Sequence, residues 1–136
     1  MPRFLDTNIL IYAVSTDPAE ETKRDRARAL IDADDCALSV QVLQEFYVQI
    51  TRPSRPRRLS HERALAFIFV WQRFPVQDMT VAILIRALTI KGRYGFSYWD
   101  GAIVAAAEEL DCDILYTEDL KHDQQIGGVR IVDPFL

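Results

Sequence analysis

Four acidic side chains in this chain stand where a fold could use them together: Asp6, Glu45, Asp100 and Asp119. Asp6 directly follows the apolar pair Phe4-Leu5, and Asp119 follows Ile114-Leu115-Tyr116 by way of Thr117-Glu118. A carboxylate at the end of a buried strand is costly unless something compensates its charge. Carboxylates about 4 Å apart repel by roughly 4 kcal/mol per pair at an effective dielectric near 20. A group of four therefore needs protons or a cation. Oxygen-only donors suit a hard ion, Mg²⁺ or Mn²⁺, rather than zinc. Mg²⁺ keeps several waters and shares substrate phosphates, so such a site serves phosphoester hydrolysis. The metal would activate water and neutralise charge on the phosphate, while a spare carboxylate orients or deprotonates that water.

Each acid also has a plainer reading. Asp6 fits an Asx-type turn that starts the next helix. Asp100 fits a Ser-x-x-Asp capping arrangement after Ser97, favoured by the helix dipole. Glu45 fits a solvated helix position, and Asp119 fits the start of a surface loop shared with Asp123. The combination carries the shared-site reading, provided the elements bring the four to one edge.

The elements predicted around them alternate between strand and helix. Arg3–Leu5 is a buried strand, with Asn8 as the expected N-cap of a helix from Ile9 to about Val14. After the turn at Asp17-Pro18, Ala19–Asp35 is a charged helix marked by Ala27, Leu30 and Ile31. Cys36–Ser39 is a second strand. Val40–Thr51 is amphipathic, with Val42, Leu43, Phe46, Tyr47 and Ile50 on one face and Glu45 at its edge. Pro53 and Pro56 end it. Helices over Leu59–Phe74, Thr80–Arg93 and Tyr98–Leu110, capped by Ser60, Thr80 and Ser97, alternate with strands at Pro75–Gln77, Asp113–Tyr116 and Val129–Val132. The last strand follows a turn at Gly127-Gly128. This alternation implies an α/β fold, a three-layer α/β/α sandwich with a short central parallel sheet. In such a sheet the strands all end on one edge, where ligands bind, so Asp6 and Asp119 share that edge. Asp100 and Glu45 reach it from helices.

Composition narrows the class further. The 136 residues suit one domain spanning 1–136, and 49% apolar with 26% charged residues is ordinary for a soluble globular protein. No stretch is long and apolar enough to cross a bilayer, and no signal peptide is apparent, so the expected location is cytoplasmic. Cys36 and Cys112 share no metal-ligand spacing and read as reduced, buried thiols. The net charge of −4 argues against a dedicated nucleic-acid binder. One segment departs from that balance: Arg52, Arg55, Arg57, Arg58 and Arg63 crowd together. They form either a solvated, Pro-interrupted loop or a phosphate-contacting patch. The aromatics Phe67, Phe69, Trp71 and Phe74 read chiefly as core, and otherwise as a contact for a protein partner.

Leu5-Asp6-Thr7-Asn8-Ile9-Leu10, Ser39 to Phe46, Ser97-Tyr98-Trp99-Asp100 and Tyr116-Thr117-Glu118-Asp119-Leu120 resemble, in order, the motifs of the PIN domain, most of all in VapC toxins of bacterial toxin–antitoxin modules. The ending Val132-Asp133-Pro134-Phe135 is similar too. The resemblance implies a Mg²⁺- or Mn²⁺-dependent endoribonuclease, usually a homodimer, neutralised by a VapB-type antitoxin. It assigns catalysis to Asp6, Glu45, Asp100 and Asp119, with Asp6, Asp100 and Asp119 on the metal and Asn8 and Thr117 as supporting polar groups. Gly101 departs from the pattern, which commonly has alanine there. Asp119 lies in its loosest part.

Two other classes remain to be weighed. A receiver-type phosphoacceptor domain needs a second acid beside Asp6 and a lysine ending a late strand. Here Thr7 and Asn8 follow Asp6, and Lys121 lies in a turn. A binding-only PIN-like domain that retains the fold without turnover is expected to lose at least one acid, and all four are present.

Overall fold

The computed structural model describes residues 2–136. A six-stranded sheet runs in the order β3-β2-β1-β4-β6-β5. β1 (Arg3–Leu5) lies inside it, paired in parallel with β2 (Cys36–Ser39) on one side and β4 (Ile114–Tyr116) on the other. β3 (Val76–Gln77) extends the sheet beyond β2, and β6 (Val129–Val132) extends it beyond β4. All these pairs are parallel. β5 (Gln125–Ile126) alone is antiparallel, closing a hairpin onto β6 through Gly127-Gly128. Gly127 has a φ of +55°, a left-handed turn conformation that glycine adopts without a Cβ penalty. The central strands are thus parallel, as expected, and the edge hairpin, which the sequence did not announce, makes the sheet mixed. A two-residue strand leaves no alternation to read in the sequence.

Chain order explains the site's location. From β1 the chain adds strands outward on one side, then returns through β4 to build the other. The gap between β1 and β4 is thus the switch point of the sheet, where ligands of open α/β folds bind beyond the strand ends. Register brings those ends level: Leu5 lies beside Tyr116, and Tyr116 beside Val132. The ladder runs one step further, with the Asp6 N–H donating to the Tyr116 carbonyl at 3.0 Å and the Thr117 N–H to Val132 at 3.1 Å.

Among the described residues six α-helices flank the sheet: α1 (Thr7–Ala13), α2 (Glu21–Asp32), α3 (Val40–Ile50), α4 (His61–Trp71), α5 (Val81–Tyr94) and α6 (Tyr98–Glu109). α1 packs on α2 and α3, α5 packs on α6, and α6 lies on β2, β4 and β6. Phe4, Leu5, Ile9, Leu10, Phe46, Leu115 and Ile131 are fully buried at the centre. Ser60, Thr80 and Ser97 cap their helices as expected. Two local expectations fail. Asp6, not Asn8, caps α1, because its extended backbone lets its own carboxylate accept from the Thr7 N–H. The charged helix starts later than Ala19, because Asp17 caps a 3₁₀ turn over Pro18–Glu20.

Cys36 and Cys112 are buried, unpaired thiols, both pushed up to about 12 chiefly by burial. Trp71 and Phe74 lie in the core, Phe67 is partly buried against it, and Phe69 is exposed. No helix among the described residues is long and apolar enough to cross a membrane.

Candidate metal centre

Among the described residues Asp6 is the only buried acid, with 3% of its surface exposed. Its Oδ1 accepts from the Thr7 N–H at 2.7 Å, and its Oδ2 accepts from the Thr117 hydroxyl at 2.8 Å. Burial raises its pKa from the ordinary carboxylate range to about 7. The two hydrogen bonds oppose that rise, and the charges of Asp119 and Glu45 add to it. The register of β1 and β4 makes this arrangement possible, since it sets Thr117 beside Asp6 although they are distant in sequence.

Thr117 is the hub. Fully buried, its Oγ donates to Asp6 and accepts from Asn8 Nδ2 at 3.1 Å and from the Asp119 N–H at 3.0 Å. Asn8, in the first turn of α1, also donates from Nδ2 to Asp119 Oδ2 at 3.0 Å. Glu45 enters from α3, its Oε2 accepting from the Thr7 hydroxyl at 2.7 Å and its Oε1 from Gln41 Nε2 at 2.8 Å. Asp100 sits half-buried in the first turn of α6, where its N–H donates to Ser97 Oγ at 3.1 Å. Burial raises its pKa first, the Ser97 hydrogen bond opposes the rise, and the charges of Asp119 and Glu45 add to it. Asp6 and Asp100 thus each feel the same two acids. The structure brings all four predicted acids, with Asn8 and Thr117, to one edge.

Two contributors escaped the sequence reading. Thr7 and Gln41 are buried polar residues that hold Glu45 in place. Gln41 had a signal: it lies one turn before Glu45 on α3, at a spacing that puts both on one face. Thr7 had none, because a threonine opening a helix reads as an ordinary start.

The arginines separate. Arg52 borders a groove shared with Glu45. Arg55 and Arg57 line a pocket with Val14, Ser15 and Thr16, beyond the end of α1 opposite the acids, and Arg57 donates to the Thr16 carbonyl at 2.9 Å. Arg58 lines a third pocket with Tyr47 and His61.

The donor set fits a hard divalent cation. None of the four acids has an ion-pair partner among the described residues, so their mutual repulsion is left uncompensated. Asn8 Oδ1 is a buried acceptor with no hydrogen-bond partner, a spare oxygen within the cluster. As placed, no three acid, histidine or cysteine side chains among the described residues form a closed ligand set. The acids thus surround the edge without being drawn onto a single point.

An open α/β sheet with acids gathered at its switch point, strung on three-residue central strands, defines a class of small acid-centred domains. The chain belongs to the PIN domain family, whose profile it matches over residues 3–125. No curated protein matches its sequence. Among solved structures it is similar to a VapBC complex from Salmonella typhimurium bound to DNA, at 26% identity and a TM-score of 0.66, over 98% of this chain and 99% of that one. It is also similar to a toxin–antitoxin complex from Klebsiella pneumoniae, at 21% identity and a TM-score of 0.71, over 97% of both chains. A third is Mycobacterium tuberculosis VapC20, a toxin that cleaves the sarcin–ricin loop, at 18% identity and a TM-score of 0.67, over 85% of this chain and 90% of that one.

Proposed function

We propose that this protein is a Mg²⁺- or Mn²⁺-dependent endoribonuclease, the toxin of a type II toxin–antitoxin pair, acting as a homodimer and neutralised by a VapB-type antitoxin. The observation that carries the reading is the acid cluster at the switch point: Asp6 and Asp100 are both raised chiefly by burial and further by the charges of Asp119 and Glu45, and no ion pair among the described residues offsets the four acids. The ribonuclease activity printed for VapC20 and the toxin–antitoxin assemblies of the other neighbours support RNA and an antitoxin as partners.

In this reading Asp6, Asp100 and Asp119 hold the ion. When bound, the ion supplies charge neutralisation at the scissile phosphate and acidifies the attacking water. The remaining steps belong to the chain. The Thr117 hydroxyl and Thr7 N–H fix the Asp6 carboxylate in one rotamer, which removes a reorganisation cost from substrate binding. Asn8 tethers Asp119, which is otherwise exposed, to the same edge. Glu45, set by Thr7 and Gln41, retains free lone pairs on both oxygens and takes the proton of the attacking water. Arg52 is the arginine placed to anchor a flanking phosphate.

Asp6→Asn tests the reading. The variant should keep the native circular dichroism spectrum and lose RNA cleavage by at least about a hundredfold, and its expression should no longer arrest growth. Sequencing of RNA ends after a pulse of expression would identify the target. Unchanged cleavage by the purified variant in Mg²⁺ would overturn the assignment.

A further inference from the structure

We propose that the groove between α3 and the first turn of α6 is a nucleobase subsite, in which the indole of Trp99 stacks on a base of single-stranded RNA next to the bond to be cut. The proposal rests on the endoribonuclease reading and gives it a substrate contact. The chain has two tryptophans. Trp71 is core, 3% exposed, whereas Trp99 is 60% exposed although it immediately precedes Asp100. Trp99 is also tied to the acids: its carbonyl accepts from Gln41 Nε2 at 3.0 Å, the same nitrogen that donates to Glu45. One amide therefore couples the position of the indole to that of an acid.

The groove encloses about 410 Å³, a volume in the range of small-molecule sites. Its α3 wall is a helical stripe of Glu45, Val48 and Gln49, which Arg52 continues just past the end of the helix, so the wall runs from the acid cluster to a cation. Glu45 belongs to both the groove and the cluster. Whatever fills the groove lies beside the reacting phosphate, and a base joined to that phosphate is the group the chemistry already brings there.

The lining matches such a ligand. Every base has a π-face, so stacking on an indole accepts any of them. Gln44 and Gln49 each offer a donor and an acceptor to a base edge. Gln41 adds an independent sign. Its side chain lines the groove, and its Nε2 faces two acceptors, which fixes the amide's orientation and leaves Oε1 buried with no partner in the protein. Arg52 supplies charge for the next phosphate.

The test uses uridine and adenosine decamers, with inorganic polyphosphate as a chain that has the charge but no bases. Binding is read on the Asp6→Asn protein, which keeps the RNA intact, by anisotropy of labelled decamers and by tryptophan fluorescence with unlabelled ones. RNA should quench the exposed Trp99 saturably while Trp71 stays constant, and polyphosphate should not quench. Trp99→Ala should weaken decamer binding and raise KM about tenfold with little change in kcat, and Trp99→Phe should recover most of the loss. Mn²⁺ affinity by calorimetry should be unchanged, which separates stacking from damage to the acids. Binding without quenching, or a Trp99→Ala protein with native Kd and KM, would overturn the subsite and leave the ribonuclease standing. If Trp99→Ala impairs only the grip on the antitoxin, the groove is a peptide site and the proposal falls. Failure of the native protein to bind or cut any RNA would remove the endoribonuclease reading itself, and the subsite with it.

Discussion

A single hydroxyl, that of Thr117, ties Asp6, Asn8 and the Asp119 backbone together, and its donor goes to the carboxylate that most needs it. Even so, Asp6 remains raised to about 7, because burial outweighs the two hydrogen bonds. The sign of its effect on stability follows. In the unfolded chain Asp6 titrates near 4, while in the fold it keeps its proton to about pH 7. Its neutral form is the one the fold accepts, so the associated stability is present below pH 4 and is lost as pH rises to about 7. The metal-free protein should therefore lose stability between pH 4 and 7, and Asp6→Asn should flatten that slope. Mn²⁺ should restore stability at pH 8 in the native protein more than in the variant, since the ion competes with the proton. Urea melts at a series of pH values, with and without Mn²⁺, provide the measurement. Parallel slopes for the two proteins would contradict this picture of Asp6.

At the scale of elements, the position of Asp100 depends on how closely α6 approaches α5. A Cβ at Gly101 would stand 2.8 Å from the Ala87 carbonyl oxygen, too close for any side chain. The glycine that departs from the family's usual alanine is thus what lets the two helices touch. Gly101→Ala gains up to about 1 kcal/mol of helix propensity, yet overpacking of this kind costs about 1–3 kcal/mol. The variant should be less stable than the native protein by up to about 2 kcal/mol in urea melts, and RNA cleavage should fall because Asp100 moves with the helix. A more stable, fully active variant would show that α5 yields easily. Sequence reasoning found α6, its Ser97 cap and its acid, because capping and periodicity are local signals. It could not find the reason for Gly101, which is a contact between helices. The same limit hid the β5 hairpin, whereas β1 and β4 were legible from their short apolar runs.

For the whole molecule, the unsolved surface is α5. Val81, Leu84, Ile85 and Leu88 recur at helical spacing and are all exposed, with Ile85 at 58%. Phe69 and Val70 of α4 are exposed as well. An apolar stripe of this kind marks an interface, and the proposed homodimer assigns it to a second copy. Light scattering after gel filtration should give twice the chain mass, and Ile85→Glu should give a monomer that keeps the native fold. A native protein that is monomeric at tens of micromolar would leave the stripe to another partner. The α/β class and the shared edge were legible from strand–helix alternation and from where the acids fell. The distribution of the arginines was not: crowded in sequence, they line three separate pockets, a matter of loop path that no local signal gives.

The pairing of β1 with β4 also has a consequence in time. Thr117, the hydrogen-bond donor to Asp6, lies 111 positions after it in the chain. Because β4 must be made before it can pair with β1, a growing chain holds Asp6 without its partner until it has extended past β4. Until then Asp6 lacks the hydroxyl that fixes its carboxylate, and the acid cluster is incomplete.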